Sequence, residues 1–141
     1  MSEVIATVGL VLFKDDVVLL VRHGESADHL TGTYGLPSGR VEPSETPLEA
    51  AQRELIEETG LMVNPEDLVE LPKLFEATIK RKDGTSKTFS WRVYKAGQFQ
   101  GKIRSTPETT PEWVKVGQKG INFLPNVEDA IELALKTQIQ S

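Results

Sequence analysis

The chain has 141 residues, 38% hydrophobic and 26% charged, the size and balance expected of one domain, residues 1–141, with a proper core. It contains no cysteine, which excludes disulfides, thiolate catalysis and cysteine-ligated metals. Its net charge is −5, and no basic patch is long enough to mark a dedicated nucleic-acid partner.

In chain order, the first apolar run is "VIATVGLVLF", Val4 to Phe13. It is too short to span a bilayer and lacks the basic start of a signal peptide, so a cytoplasmic location and no membrane partner are expected. Rich in β-branched residues and apolar on both faces, it reads as a central buried strand. "KDD" turns it into Val17 to Arg22, its expected hairpin partner. "HGESADHLTGTYG" follows as a polar loop bearing glycines.

"PSETPLEAAQRELIEETG" reads as a helix with clear ends. Ser44 or Thr46 can cap it, Pro47 suits its first turn, and Gly60 can close it. Leu48, Ala51 and Leu55 form the apolar seam. Glu54, Glu57 and Glu58 fall at i, i+3 and i+4 on a flanking face, where like charges repel by a few tenths of a kcal/mol per pair.

Two strands follow, "DLVELPKLFEATIKRK" and "SKTFSWRVYKAG", joined by the hairpin turn "DGT". "RSTPETTPEWVKV" is a Thr/Pro-rich loop leading into a short strand. The last helix begins near "PNVEDAIELALK", with Asn126 as its cap and Val127, Ala130, Ile131 and Ala134 as its apolar stripe.

The acid is concentrated rather than spread. Val41 to Pro72 holds nine acids and one base, Arg53, so this segment carries −8 and the rest +3. Hard oxygen ligands at this density suit Mg²⁺ or Mn²⁺ rather than zinc. A three-glutamate helix taken alone is more often a solvated acidic face, so the residues around it decide the reading.

Those residues are "GRVEPSETPLEAAQRELIEETGL", Gly39 to Leu61. Gly39, Glu45, Arg53, Glu54, Glu57, Glu58 and Gly60, with apolar Leu55 and Leu61, stand at the spacing of the Nudix box, and no position is missing. Seven fixed letters match a random window on the order of once in 10⁸ or less. The chain therefore resembles the Nudix hydrolase family over nearly its whole length. Tyr34 and Ser38 stand where many relatives have Trp and Gly; neither removes a metal ligand, so both bear on loop shape and substrate fit.

The resemblance implies an α/β fold, a Nudix-type α/β/α sandwich with a mixed β-sheet. It implies hydrolysis of a nucleoside diphosphate linked to another moiety, with a small-molecule nucleotide as substrate and Mg²⁺, or Mn²⁺, as cofactor. Glu54, Glu57 and Glu58, with the carbonyl of Gly39, become the metal ligands. Arg53 orients a box glutamate and Glu45 supports it, which places Glu45, Arg53 and Glu57 in the catalytic group. The general base stays open between Glu57 and a later loop residue, Glu108 or Glu112. Arg22 and Tyr34 are the candidate substrate contacts. Phe75, Phe89, Trp91 and Trp113 can stack on a base, although aromatic residues at strand spacing are more often core. An RNA 5′-end pyrophosphohydrolase and a non-catalytic nucleotide sensor are the other classes, and the expected assembly is a monomer or homodimer.

Overall fold

A computed structural model describes residues 4–23, 32–81 and 83–138. In chain order these form β1 (Val4–Val11), β2 (Phe13–Lys14), β3 (Val17–His23), β4 (Tyr34–Gly35), β5 (Ser38–Arg40) and α1 (Pro47–Thr59). A short 3₁₀ turn (Pro65–Asp67) then leads to β6 (Leu68–Lys80), β7 (Ser86–Ala96), β8 (Thr109–Lys115) and α2 (Val127–Lys136). Most of the expected polar loop, residues 24–31, lies outside the described residues, and His29 with it.

Two sheets result. The mixed one runs β5-β1-β7-β6, with β1 antiparallel to β5 and parallel to β7. The second is built on β3, which carries β8 on one edge and the short β2 and β4 on the other. β1 is apolar on both faces because both faces are covered. Val8 and Leu10 pack with Ala51 and Leu55 of α1. Val11 packs with Trp91, Val93 and the Val127, Ala130, Ile131 and Ala134 stripe of α2. The expected sandwich is present: a helix lies against each face of the sheet, and burial of each large aliphatic side chain there stabilises the fold by about 1.5–3 kcal/mol.

The first hairpin differs from expectation. The strand ends at Val11, and only Phe13 and Lys14 pair with β3. Leu12 is where the chain changes sheets, its carbonyl accepting the Leu19 N–H at 3.0 Å. Hydrophobicity runs through the change without a break, since Leu10, Val11 and Leu12 are all fully buried. The expected turn at "KDD" is present, with Asp15 in the left-handed region at φ 55°.

The β6–β7 hairpin forms as expected, with Asp83 accepting both the N–H and the hydroxyl of Thr85 to fix its turn. Its register shifts between Glu70 and Leu74, where Pro72 has no N–H to give the ladder. Asn126 precedes α2 but does not cap it through its side chain. Its carboxamide instead donates to the Glu76 carbonyl at 2.8 Å and ties the helix start to β6. Among the described residues, no helix is long and apolar enough to cross a membrane.

Candidate active site

The start of α1 is fixed by a capping box. Thr46 Oγ1 accepts the Glu49 N–H at 3.1 Å, and the Glu49 carboxylate accepts the Thr46 N–H at 2.8 Å. Pro47 occupies the first turn, and Gly60 closes the far end at φ 84°, its N–H donating to the Ile56 carbonyl. Of the two candidate caps, Thr46 holds the position. With both ends defined, Leu55 and Ala51 point to the core and Glu54, Glu57 and Glu58 line one cleft.

Arg53 uses every donor it has. Nε and Nη2 grip the two oxygens of Glu45 at 3.0 and 2.5 Å. Nη1 reaches Glu54 at 2.6 Å and Glu57 at 3.2 Å, and Nη2 also donates to the Arg40 carbonyl at 2.9 Å. A planar fork with five N–H groups is the side chain that can do this. Its attachment to Glu45 draws that carboxyl below the usual range and raises the guanidinium's own affinity for its proton. Arg53 and Glu45 are thus together, behind the carboxylates they orient.

Glu54 and Glu58 are the sheltered members of the stripe. Glu54 lies against Gly39, where any Cβ would collide with its carboxylate. Glu58 Oε1 accepts the Ser38 N–H at 2.6 Å. Burial raises the Glu54 carboxyl, with Arg53 opposing. Burial, reinforced by Glu54, Glu57 and Glu108, pushes Glu58 up to about 8 although the Ser38 N–H favours its anion. Glu57 is the exposed one, at 57% for its side chain.

The cleft in front of these carboxylates has a volume of about 330 Å³ and is closed on its far side by Thr106, Glu108 and Thr109. Glu108 therefore faces the box glutamates. Glu112 does not line the cleft; it sits on β8 beside Arg22, 3.4 Å from its Nε. Tyr34 joins that group, its phenol raised by burial and then by the Glu112 carboxylate. The structure gathers Arg22, Tyr34 and Glu112 with one another rather than with the acid stripe.

A second cavity, of about 200 Å³, adjoins the first. Phe89 and Trp91 wall it, with Leu124, Thr7 and His23. Arg40 and Arg81 supply its positive charge. Ser38, Gly39 and Glu58 complete the wall, and Glu58 belongs to both spaces. Of the other aromatic candidates, Phe75 is buried in the core and Trp113 stacks on Phe99 at 5.7 Å. Sequence reasoning missed Thr7, His23, Arg40, Arg81 and Leu124. Only Arg81 carried a signal, within the basic "KRKDGTSK" stretch, a modest candidate for the approach surface of an RNA substrate that reads more readily as a solubilised hairpin.

The NUDIX domain pattern matches residues 4–132. The chain belongs to the NUDIX family of hydrolases. A curated relative, human 8-oxo-dGDP phosphatase NUDT18, is 47% identical over 58 residues, 41% of this chain and 17% of that protein. The match thus spans about a sixth of that relative's length. Among solved structures, the MutT NUDIX hydrolase of Burkholderia pseudomallei superposes with a TM-score of 0.78 at 22% identity, over 94% of this chain and 98% of the other. The NUDIX domain of Shewanella oneidensis NrtR, solved with ADP ribose, gives 0.72 at 20% identity, covering 96% and 89%. These structural likenesses establish the NUDIX fold.

NUDIX enzymes generally use a divalent metal, and the donor set here can be tested against one. Among the described residues, no three His, Asp or Glu side chains close around a point by themselves. An incomplete protein shell is what Mg²⁺ accepts, since it keeps several waters and commonly takes one or two carboxylates plus substrate phosphates. Every donor facing the cleft is a hard oxygen. Gly39 has no side chain where the Glu54 carboxylate lies, and two of the carboxyls are raised by crowding and burial, a penalty that a cation removes. The residues fit the ion.

Proposed function

We propose that this chain is a Mg²⁺-dependent, Mn²⁺-tolerant pyrophosphohydrolase of small nucleotides, acting in the cytoplasm on a nucleoside diphosphate linked to a further group. One observation carries the reading: the acid cleft and the aromatic pocket meet at Glu58, which lines both and accepts the N–H of Ser38 in the pocket wall. A ligand spanning both spaces needs a planar apolar end and a polyanionic end. Nucleotides have that shape.

Phe89 and Trp91 would stack on the base, while Arg40 and Arg81 meet negative charge or carbonyl oxygens at the pocket wall. Glu54, Glu57 and Glu58, with the Gly39 carbonyl, would hold the cation. When bound there, it neutralises the anhydride oxygens, polarises the phosphorus and makes water easier to deprotonate. Arg53 keeps Glu54 and Glu57 aimed at the cleft, which is orientation of ligands and not contact with substrate. Water adds to phosphorus, the bridging P–O bond breaks, and a carboxylate takes the water's proton. Glu57 and Glu108 both face the cleft and are the two bases in reach; Glu112, on the Arg22 side, is not.

The test is a panel of nucleoside di- and triphosphates and nucleoside diphosphate sugars, read out as phosphate and pyrophosphate released. The name of the human relative puts 8-oxo-dGDP in the panel, and a 5′-triphosphorylated oligonucleotide separates the RNA reading. Turnover with Mg²⁺, loss in EDTA, recovery with Mg²⁺ or Mn²⁺ and poor recovery with zinc are expected. Full rates in metal-free buffer, or no turnover of any compound, would sink the proposal.

A further inference from the structure

The segment joining β7 to β8 is fastened to the exit of α1. Met62 and Gln100 exchange backbone hydrogen bonds at 2.9 and 2.8 Å, and the Arg104 N–H donates to the Thr59 carbonyl at 2.9 Å. The Arg104 side chain then turns back along the helix. Its Nη2 donates to the Ile56 carbonyl at 3.1 Å, alongside the Gly60 N–H that the same oxygen accepts. Gly60 makes room for this: a Cβ there would lie 2.8 Å from Arg104 Cγ. The last turn of α1 has no basic residue of its own, so Arg104 supplies the cation that the negative end of a helix favours.

Four residues on is Glu108. The chain between them has little freedom, because Thr106 closes a tight turn. Its N–H donates to the Thr109 carbonyl at 2.9 Å, and its hydroxyl oxygen accepts the N–H groups of Glu108 at 3.3 Å and Thr109 at 3.1 Å. Pro107 stiffens the same turn. A short rigid arm therefore runs from the end of α1 to the carboxylate that faces Glu57 and Glu58. Helix and arm are registered to each other at Arg104.

We propose that Arg104 is a positioning residue: clamped to the C-terminal carbonyls of α1, it sets where Glu108 stands across the cleft from Glu57 and Glu58, and through Glu108 it sets the rate of hydrolysis. The rate part of this rests on the pyrophosphohydrolase reading. The clamp itself does not.

Four variants and two readouts test it. R104A should lower kcat by about 10- to 100-fold, the effect of a small misplacement of a reacting group, with KM for the nucleotide within about 2-fold. E108Q should lower kcat at least as far, and R104A/E108Q should be no slower than E108Q alone, because Arg104 acts through that residue. R104K keeps one donor for the Ile56 carbonyl and should recover most of the rate. Hydrogen exchange, which needs neither metal nor substrate, should show the Glu108 and Thr109 amides losing protection in R104A while the Leu55 amide keeps its own. A helix cap without a positioning role would lower Tm and leave kcat alone. Unchanged kcat in R104A, multiplying losses in the double variant, or unchanged protection at Glu108 and Thr109 would each overturn the proposal. Lost protection in a protein whose wild type turns over no nucleotide would support the clamp and overturn the hydrolase reading instead.

Discussion

Glu58 holds its proton tightly without metal, and that has a consequence for stability. Its carboxyl moves from the ordinary 4.5 to about 8 on folding, chiefly through burial. A group raised this way binds more protons folded than unfolded between those two values, so its stabilisation is full below about pH 4.5 and disappears as pH rises through 8. Metal-free protein should therefore lose Tm across that window, by at least about 5 °C for a protein of this size. Glu45, drawn below the usual range by Arg53, acts with the opposite sign and only at lower pH. E58Q should flatten the slope, and Mg²⁺ at pH 8 should raise the Tm of the wild type but not of E58Q. A wild-type Tm that stays level from pH 5 to 8 in EDTA would contradict this account. At the same scale, Arg53 leaves no N–H for a phosphate. Its part is to aim others, and its fork was predictable from the excess of acid around a single base.

At the scale of elements, α1 matters because its rotation decides which side chains face the cleft. The packing of Ala51 and Leu55 into the core sets that rotation, and the capping box sets where the helix begins. T46A should cost about 1 kcal/mol, roughly 3–5 °C in Tm, whereas S44A should leave Tm in place; thermal melts of the two variants in parallel check both. This helix was legible residue by residue, since caps, Pro47 and Gly60 are local signals that local chemistry enforces. Other elements were not. β4 has two residues and β5 three, too few to show alternation. The change of sheet at Leu12 leaves no mark in an evenly apolar run. Asn126 looks like a cap because its type and place suit one, yet its backbone is left-handed at φ 68° and its carboxamide N–H turns to the Glu76 carbonyl. Tertiary contacts overrode local preference there.

Across the whole molecule, the acid cleft and the aromatic pocket draw on different parts of the chain. Three of the cleft carboxylates come from one helix, with Gly39 and Glu45 just before it, and the fourth, Glu108, from the segment between β7 and β8. The pocket takes Thr7 from β1, His23 from β3, Phe89 and Trp91 from β7, and Leu124 from the approach to α2. No spacing rule joins these residues, so the sequence marked the acid cleft and hid the pocket. The division can be measured. F89A should raise KM for the preferred nucleotide by about 10-fold or more, the worth of one stacked aromatic ring. The Mg²⁺-induced rise in Tm should be the same in F89A as in the wild type. Equal loss of both would mean that the two spaces do not act separately.

That separation bears on how such a protein can change. The Gly39–Leu61 segment holds the proposed ligands, their orienting arginine and the helix caps in one continuous passage. Much of the pocket wall is scattered over strands whose opposite faces belong to the core, and it joins the Gly39–Leu61 passage at Gly39, Arg40 and Glu58. With the pocket seating the base as proposed, substitutions at Phe89, Arg81 or Leu124 are expected to exchange one preferred nucleotide for another while the acid cleft is inherited intact. A lineage built this way can try new substrates one residue at a time without passing through an inactive ancestor.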